Sequence, residues 1–443
     1  MKNSLRALSA SLALAASPAF ALPPDTVHDV EVFIGGATAH SRLLPNMLTT
    51  RWCDISVASP LDIYHDDRTA FGGTADGRNY QAYSCKLKAA APIPASLQGK
   101  TMLLHYRLLT GSFLGVNPLA RATAVDRMAI NATSCPGARS ATTPNYKCKN
   151  PVSAVLDMGM SDQEPQLFIG RNLPAGETAL TAKELGNITI VPTIAIMFGA
   201  TVSDALYQAL QTAQGKVVGD FTDDQRPNLT TQQLTSLFTA NGGPYNTDWT
   251  ALGIANNGPI KICKRINGVG QQISNNLFFG GYPCSPSALL PAMKATDEIP
   301  GQYELSEGVL IPDMTACLTA ANNAGQYAIG GLWLDQTPNG WHFTKIDGVG
   351  PILANAVNGS YPFWMQNTAQ YRNKTVNSVP APSGLKKTFI ESLMLPEFER
   401  PGNLTTNGIM ALPENGFTPG VDGANVLKSS RQGSNCRQPV LFF

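Results

Sequence analysis

Charge is scarce in this sequence. Asp, Glu, Lys and Arg make up 14% of 443 residues, against roughly 25% in ordinary soluble domains. The formal net charge is +1, and no basic stripe offers itself to a nucleic acid or an anionic bilayer, so neither is expected as a partner. Histidine is scarcer still. His28, His40, His65, His105 and His342 are scattered, and no Ser–His–Asp set follows from their spacing. The absence of Gly-x-Ser-x-Gly and of His-Glu-x-x-His removes two hydrolase signatures. No catalytic residue, no enzyme and no cofactor is therefore expected. No Cys-x-x-Cys pair occurs, which makes a zinc site a poor reading. His65-Asp66-Asp67 and Asp220 to Asp224 lack the alternating spacing and Gly of a calcium loop, so they read as solvated loops and no metal is expected. Past the N-terminus there is no long uncharged apolar run, and hence no expected membrane insertion. Short repeats and low-complexity tracts are missing too.

What is present begins at the N-terminus. Lys2 and Arg6 precede an apolar stretch from Ala7 to about Ala16, and Ala19-Phe20-Ala21 is a small-x-small cleavage site. Residues 1–21 read as a secretory signal peptide, too short to span a membrane. Removing two positive charges with it takes the formal net charge from +1 to −1. The expected location is periplasmic or secreted. Eight cysteines agree with export, since an even number in an oxidising compartment suggests disulfides. Proximity suggests Cys53–Cys85 and Cys135–Cys148. Cys263, Cys284, Cys317 and Cys436 are left without an assigned pairing.

Along the chain one unit recurs: an apolar strand, a Gly/Ser-rich turn, then a helix-like stretch. Val30, Val32 and Ile34 alternate as a strand before the turn Gly35-Gly36-Ala37-Thr38, and Leu43, Leu44, Met47 and Leu48 share one helical face. Met102 to Leu109 is a second strand, turning at Gly111-Ser112. Ala154-Val155-Leu156 is a third, short strand ending at Gly159-Met160-Ser161-Asp162. Ile188 to Phe198 is a long apolar segment that reads as a crossover. Ala205, Leu206, Ala209 and Leu210 share a helix face. Thr230 and Gln233 have capping-box spacing, with Leu229 and Leu234 as a hydrophobic staple, so a helix starts there. Ile260, Ile262 and Arg265 lie on a strand before Gly268-Val269-Gly270, and Ile273, Leu277 and Phe278 continue as a helix. Tyr327 to Leu334 is a further buried strand. About Tyr64 to Gln98 and Asn131 to Asn150 read as polar surface insertions tied down by disulfides. Strands alternating with helices indicate an α/β fold with largely parallel sheets.

The turns, in this order, resemble those of phosphate-type substrate-binding proteins of ABC transporters. The matching phrases are Gly36-Ala37-Thr38, Gly111-Ser112-Phe113-Leu114-Gly115-Val116 and Asp157-Met158-Gly159-Met160-Ser161-Asp162. They continue with Leu229 to Phe238 leading to Trp249, Arg265 before Gly268-Val269-Gly270-Gln271, Tyr327-Ala328-Ile329-Gly330, Ile346-Asp347-Gly348-Val349, and Asn358-Gly359-Ser360-Tyr361-Pro362. They run from about Val30 to Pro362; the last eighty residues match only loosely. The resemblance implies an α/β, two-lobe periplasmic-binding-protein (type II) fold with mixed sheets, a hinge between lobes and disulfide-tied insertions. One lobe would hold residues 22–190 with 365–443, the other 191–364. Strand–Gly–helix turns present backbone N–H groups at the carboxyl edge of each sheet, where four of them could converge on one anion.

Thr38, Ala39, Ser112, Asp162, Arg265, Gly270 and Gln271 are the ligand-binding residues the resemblance implies. The chain departs from it at Ala39, where the family has Phe, and at Val269 and Gln271, where it has Ser and Thr. Two lost hydroxyl donors put phosphate itself in doubt. Plainer roles stand beside these. Ser161 and Glu164 have capping-box spacing, Gly111-Ser112 fits a simple tight turn, Arg265 could pair with a surface carboxylate, and Thr38 could be an N-cap. Trp333, Trp341, Phe343, Tyr361, Phe363 and Trp364 read as core.

The expected function is capture of a small anionic or polar solute, phosphate or another oxyanion among the options, for delivery to an ABC transporter membrane component. One alternative is a secreted interaction or adhesion protein that keeps the fold without the ligand and meets another secreted protein. The other is a secreted phosphoester hydrolase using His40 with Asp162.

Overall fold

The computed structural model describes residues 22–55, 61–71, 77, 79–109, 111–137 and 145–442. The signal-peptide reading falls on residues 1–21, outside the described residues. In chain order the strands are β1 Val30–Gly36, β2 Asp62–Asp66, β3 Tyr80–Lys86, β4 Thr101–Arg107, β5 Ala124–Met128, β6 Asn145–Cys148, β7 Pro151–Val155, β8 Met158–Ser161 and β9 Ile188–Ser203. They continue with β10 Asn228–Leu229, β11 Ile260–Arg265, β12 Tyr303–Gly308, β13 Ile329–Trp333, β14 Trp341–Phe343, β15 Lys345–Ile346, β16 Trp364–Arg372 and β17 Ile409–Ala411.

The architecture is mixed α/β around a 13-stranded sheet whose main path is β12-β11-β13-β9-β16-β8-β1-β4-β3-β2-β6, with β14 and β17 both on β9. It has two parallel nests. β1 runs parallel to β4 and to β8; β11 runs parallel to β12 and to β13. Strand β9 joins them. Its first part, through Met197, pairs antiparallel with β16, and Phe198 to Val202 pair antiparallel with β13. The β-branched run Ile188 to Ile196 favours extended backbone, and Ile194 to Phe198 are buried. Pro192, which has no N–H to give a ladder, sits where the β9–β16 register shifts between Gln366 and Thr368. Such an irregularity is where a strand tolerates proline.

The capping box forms at the predicted place. Thr230 N–H donates to Gln233 Oε1 at 2.9 Å, Gln233 N–H donates to Thr230 Oγ1 at 3.2 Å, and the helix spans Thr231–Phe238. The helices Asp204–Ala213 and Gly270–Gly280 also lie where their apolar spacing put them.

Two expectations are corrected. Tyr64 to Gln98 is not a surface excursion: β2 and β3 extend the main sheet beyond β4, and Tyr64, Ala82, Tyr83 and Cys85 are buried. Within the second insertion, β6 adds one more strand, parallel to β2. The strand placed at Ala154 to Leu156 belongs to a separate β5–β7 ribbon. The main-sheet strand is Met158–Ser161 itself, and the pattern missed it because Gly and Ser leave little side-chain signal. Gly159 is required there, since a Cβ would lie 1.7 Å from Gly115 O.

All eight cysteines are paired, as Cys53–Cys85, Cys135–Cys148, Cys263–Cys317 and Cys284–Cys436. Among the described residues no helix is long and apolar enough to cross a membrane.

Candidate functional site

Parallel strands end their N–H and C=O ladders at a common edge, and ligands in open α/β sheets gather there. Here the carboxyl ends of both nests open into one cavity of about 580 Å³. From the β1 side come Thr38 and Ala39 after β1, Leu108 and Gly111 after β4, and Asp162 after β8. From the β11 side come Arg265, Leu310 after β12, and Trp333 at the end of β13; Ile196 and Phe198 of β9 complete the wall.

Asp162 is the centre of the polar part. Its carboxylate accepts hydrogen bonds from Ser112 Oγ at 3.3 Å and Asn367 Nδ2 at 3.1 Å, and its backbone N–H donates to Ser112 Oγ at 3.0 Å. Desolvation pushes its pKa up to about 6, against the opposing pull of Ser112, Arg265 and Asn367. Arg265 is buried on β11. Its guanidinium donates to Val309 O, and its backbone N–H donates to Gln272 Oε1 at 3.1 Å.

Of the seven sequence-predicted ligand residues, Thr38, Ala39, Asp162, Arg265 and Gln271 line the cavity. Ser112 is fully buried, with its hydroxyl engaged by Asp162. Gly270 opens the helix Gly270–Gly280 against that pair: a Cβ there would lie 2.3 Å from Ser112 Oγ and 2.5 Å from Asp162 Oδ2. Nearby, Phe113 N–H donates to Gly268 O at 3.0 Å. The second and fourth turns therefore meet each other directly, with Asp162 beside their contact. The Gln271 amide braces β13 through Gly331 O at 2.6 Å.

The plainer roles resolve in part. No capping box joins Ser161 to Glu164: Ser161 Oγ accepts from Gln163 N–H, and Glu164 takes hydrogen bonds from Asn435. The short turn His40–Arg42 has Ala39 at its N-cap and no side-chain cap, so Thr38 does not cap it. The pair His40–Asp162 is not assembled. His40 is fully buried, with Nε2 at 3.2 Å from Thr193 Oγ1 and its ring edge-on to Phe398, and burial drives its pKa down to about 3.

Sequence reading missed a second wall. Ile63, His65, Gln81 and Tyr83 of β2 and β3 line the cavity, and the Tyr83 hydroxyl donates to Gln81 Oε1 at 2.7 Å. A signal was available: pairing Cys85 with Cys53 already placed Tyr80–Lys86 against the first unit. Trp333, read as core, is buried but lines the cavity. Arg42 reaches across the rim to it. Its guanidinium carbon lies 5.7 Å from the Trp333 ring centroid, and Nε is 3.2 Å from Asp335 Oδ2. Trp341, Tyr361, Phe363 and Trp364 are buried.

No protein-family model and no curated protein sequence matches the chain. Solved structures resemble it in part. One, assigned as a phosphate ABC transporter substrate-binding protein with bound phosphate from Clostridium perfringens, is 13% identical over 85% of this chain and 99% of its own, with a TM-score of 0.44. An ABC-type phosphate transport receptor from Vibrio cholerae is 12% identical over 82% of this chain and 93% of its own, with a TM-score of 0.41. The CcmR regulatory domain of Synechocystis in complex with 2-PG is 9% identical over 82% of this chain and 96% of its own, with a TM-score of 0.33.

Proposed function

We propose that this chain is an exported solute-binding protein that captures a small anionic or polar ligand in the cavity between its two parallel-strand nests. One observation carries the reading: the carboxyl ends of both nests converge on a single cavity of about 580 Å³ with Asp162 and Arg265 in its wall. Arg265 and the first-turn N–H groups of Gly270–Gly280 favour an anion. Asp162 suits a ligand that brings a proton to share. Four disulfides and the N-terminal signal-like segment support export. Delivery to an ABC transporter membrane component follows from the resemblance of the turns.

The test is a thermal-shift screen against phosphate, phosphonates, sulfate, sugars and amino acids. A ligand that binds only the folded state raises the melting temperature by linkage. The expected result is a rise of several degrees with one compound class, lost on Asp162→Ala or Arg265→Ala. A flat response across the panel overturns the reading.

A second reading, an interaction protein that keeps the fold without the ligand, has its own support. The Ser112 hydroxyl and the Phe113 N–H, both on the second turn, are engaged by Asp162 and Gly268 of the protein itself. A partner recovered by pull-down together with a flat thermal screen favours it.

A further inference from the structure

Resting on the solute-binding reading above, we infer that the ligand is an organic oxyacid, an anionic head carrying an apolar body, rather than a free inorganic oxyanion. Size is the first reason. At about 30 Å³ per water, the cavity of about 580 Å³ has room for many times the five heavy atoms of phosphate or sulfate. It falls inside the range of roughly 300–1,000 Å³ that encloses drug-sized organic ligands.

Chemistry is the second reason. Thr38, Asp162 and Arg265 gather at the ends of β1, β8 and β11, while Arg42 at the rim and His65 and Gln81 on the β2–β3 wall are polar groups set apart from them. The rest of the wall is mostly apolar. Ile63 and Tyr83 come from the β2–β3 extension; Ile311 and Trp333 come from the β11 side. A hydrated inorganic ion gains nothing from such surfaces. An aryl or alkyl group does, at roughly 25 cal/mol for each Å² removed from water.

The β2–β3 extension therefore sets specificity. It widens a junction that could hold an ion into a chamber for a larger molecule.

The experiment is calorimetric titration of the purified protein with inorganic phosphate, phenylphosphonate, benzoate and hexanoate, repeated on Ile63→Trp and on Pro312→Trp. These two substitutions crowd the chamber from opposite walls, and Pro312 is exposed, so its variant is the safer folder. The expected result is at least tenfold tighter binding of one organic acid than of phosphate, with that advantage reduced at least tenfold in a variant whose melting curve matches wild type. Phosphate binding more tightly than every organic acid overturns this inference while leaving the solute-binding reading intact. Tight organic-acid binding unchanged in both variants overturns the placement of the body. No binding of any of the four sinks the anion reading of the site and this inference with it.

Discussion

At the scale of single residues, burial sets the charge states. Glu399 shows it most simply: desolvation alone raises its pKa from 4.5 to about 7. The folded protein thus holds a proton between pH 4.5 and 7 that the unfolded chain has released. Stability falls as pH rises through that window, and the penalty is complete above it. Glu399→Gln removes the penalty. The variant should match wild type near pH 4 and exceed it at pH 8 by about 2 kcal/mol, read from urea midpoints at the two pH values. An equal difference at both values defeats the explanation. Glu397, two residues earlier, goes the other way. Arg51 and Asn403 bind its buried carboxylate and hold it below the ordinary range against desolvation. Neighbouring acids on one helical turn thus differ because one has donors and the other does not. Spacing in the sequence gives no hint of that.

Elements were legible where a local rule was complete. The Thr230–Gln233 capping box needs only four residues to declare itself, and both of its hydrogen bonds form. β1 and β4 announce themselves by apolar content. β2 and β3 were hidden for a physical reason. Their cavity-facing positions carry His65 and Gln81, so the alternation reads as polar loop, and their partners are set by long-range pairing. β8 was displaced because its function in the fold is close approach. The turn after β4 comes so near that Gly115 O occupies the place of a Gly159 side chain. Gly159→Ala should therefore cost about 3 kcal/mol, since backbone cannot yield as a side chain can. Chemical denaturation measures it, and a loss under 1 kcal/mol would show that the two segments part easily. The cavity was half legible for the same reasons. Thr38 and Arg265 lie at the ends of strands that the apolar pattern exposes, and Asp162 was placed by the resemblance of its turn. Trp333 looked like core because it is core on one side and cavity wall on the other, and Tyr83 lay inside a stretch that reads as a polar surface insertion.

At the scale of the molecule, the two nests are held together by more than β9 and β16. Gln163 Nε2 donates to Ser274 Oγ at 2.6 Å, Asn276 Nδ2 donates to Asn172 Oδ1 at 2.8 Å, and Arg171 pairs with Asp297 at 3.1 Å. The C-terminal segment joins this junction. Asn435 Nδ2 donates to Gln163 Oε1, Glu164 Oε2 and Gln366 O, and the neighbouring Cys436 is bonded to Cys284. Such a polar seam, closed by a covalent bond, ties the two nests to each other and to the C-terminal segment.

That last bond also bears on how the protein matures. Cys53–Cys85 and Cys135–Cys148 join cysteines that are consecutive in the chain, whereas Cys263–Cys317 and Cys284–Cys436 interleave. After those two bonds, Cys263 and Cys284 are the nearest remaining thiols along the chain, and the shorter loop closes at the lower entropy cost, giving a wrong pair that only exchange can undo. Oxidative refolding of the reduced chain should therefore accumulate a species with the first two bonds native and the 263–284 link trapped, resolved by a disulfide isomerase and visible by peptide mapping. Direct formation of all four native bonds without exchange would mean that tertiary packing brings Cys436 home before the nearer thiols react.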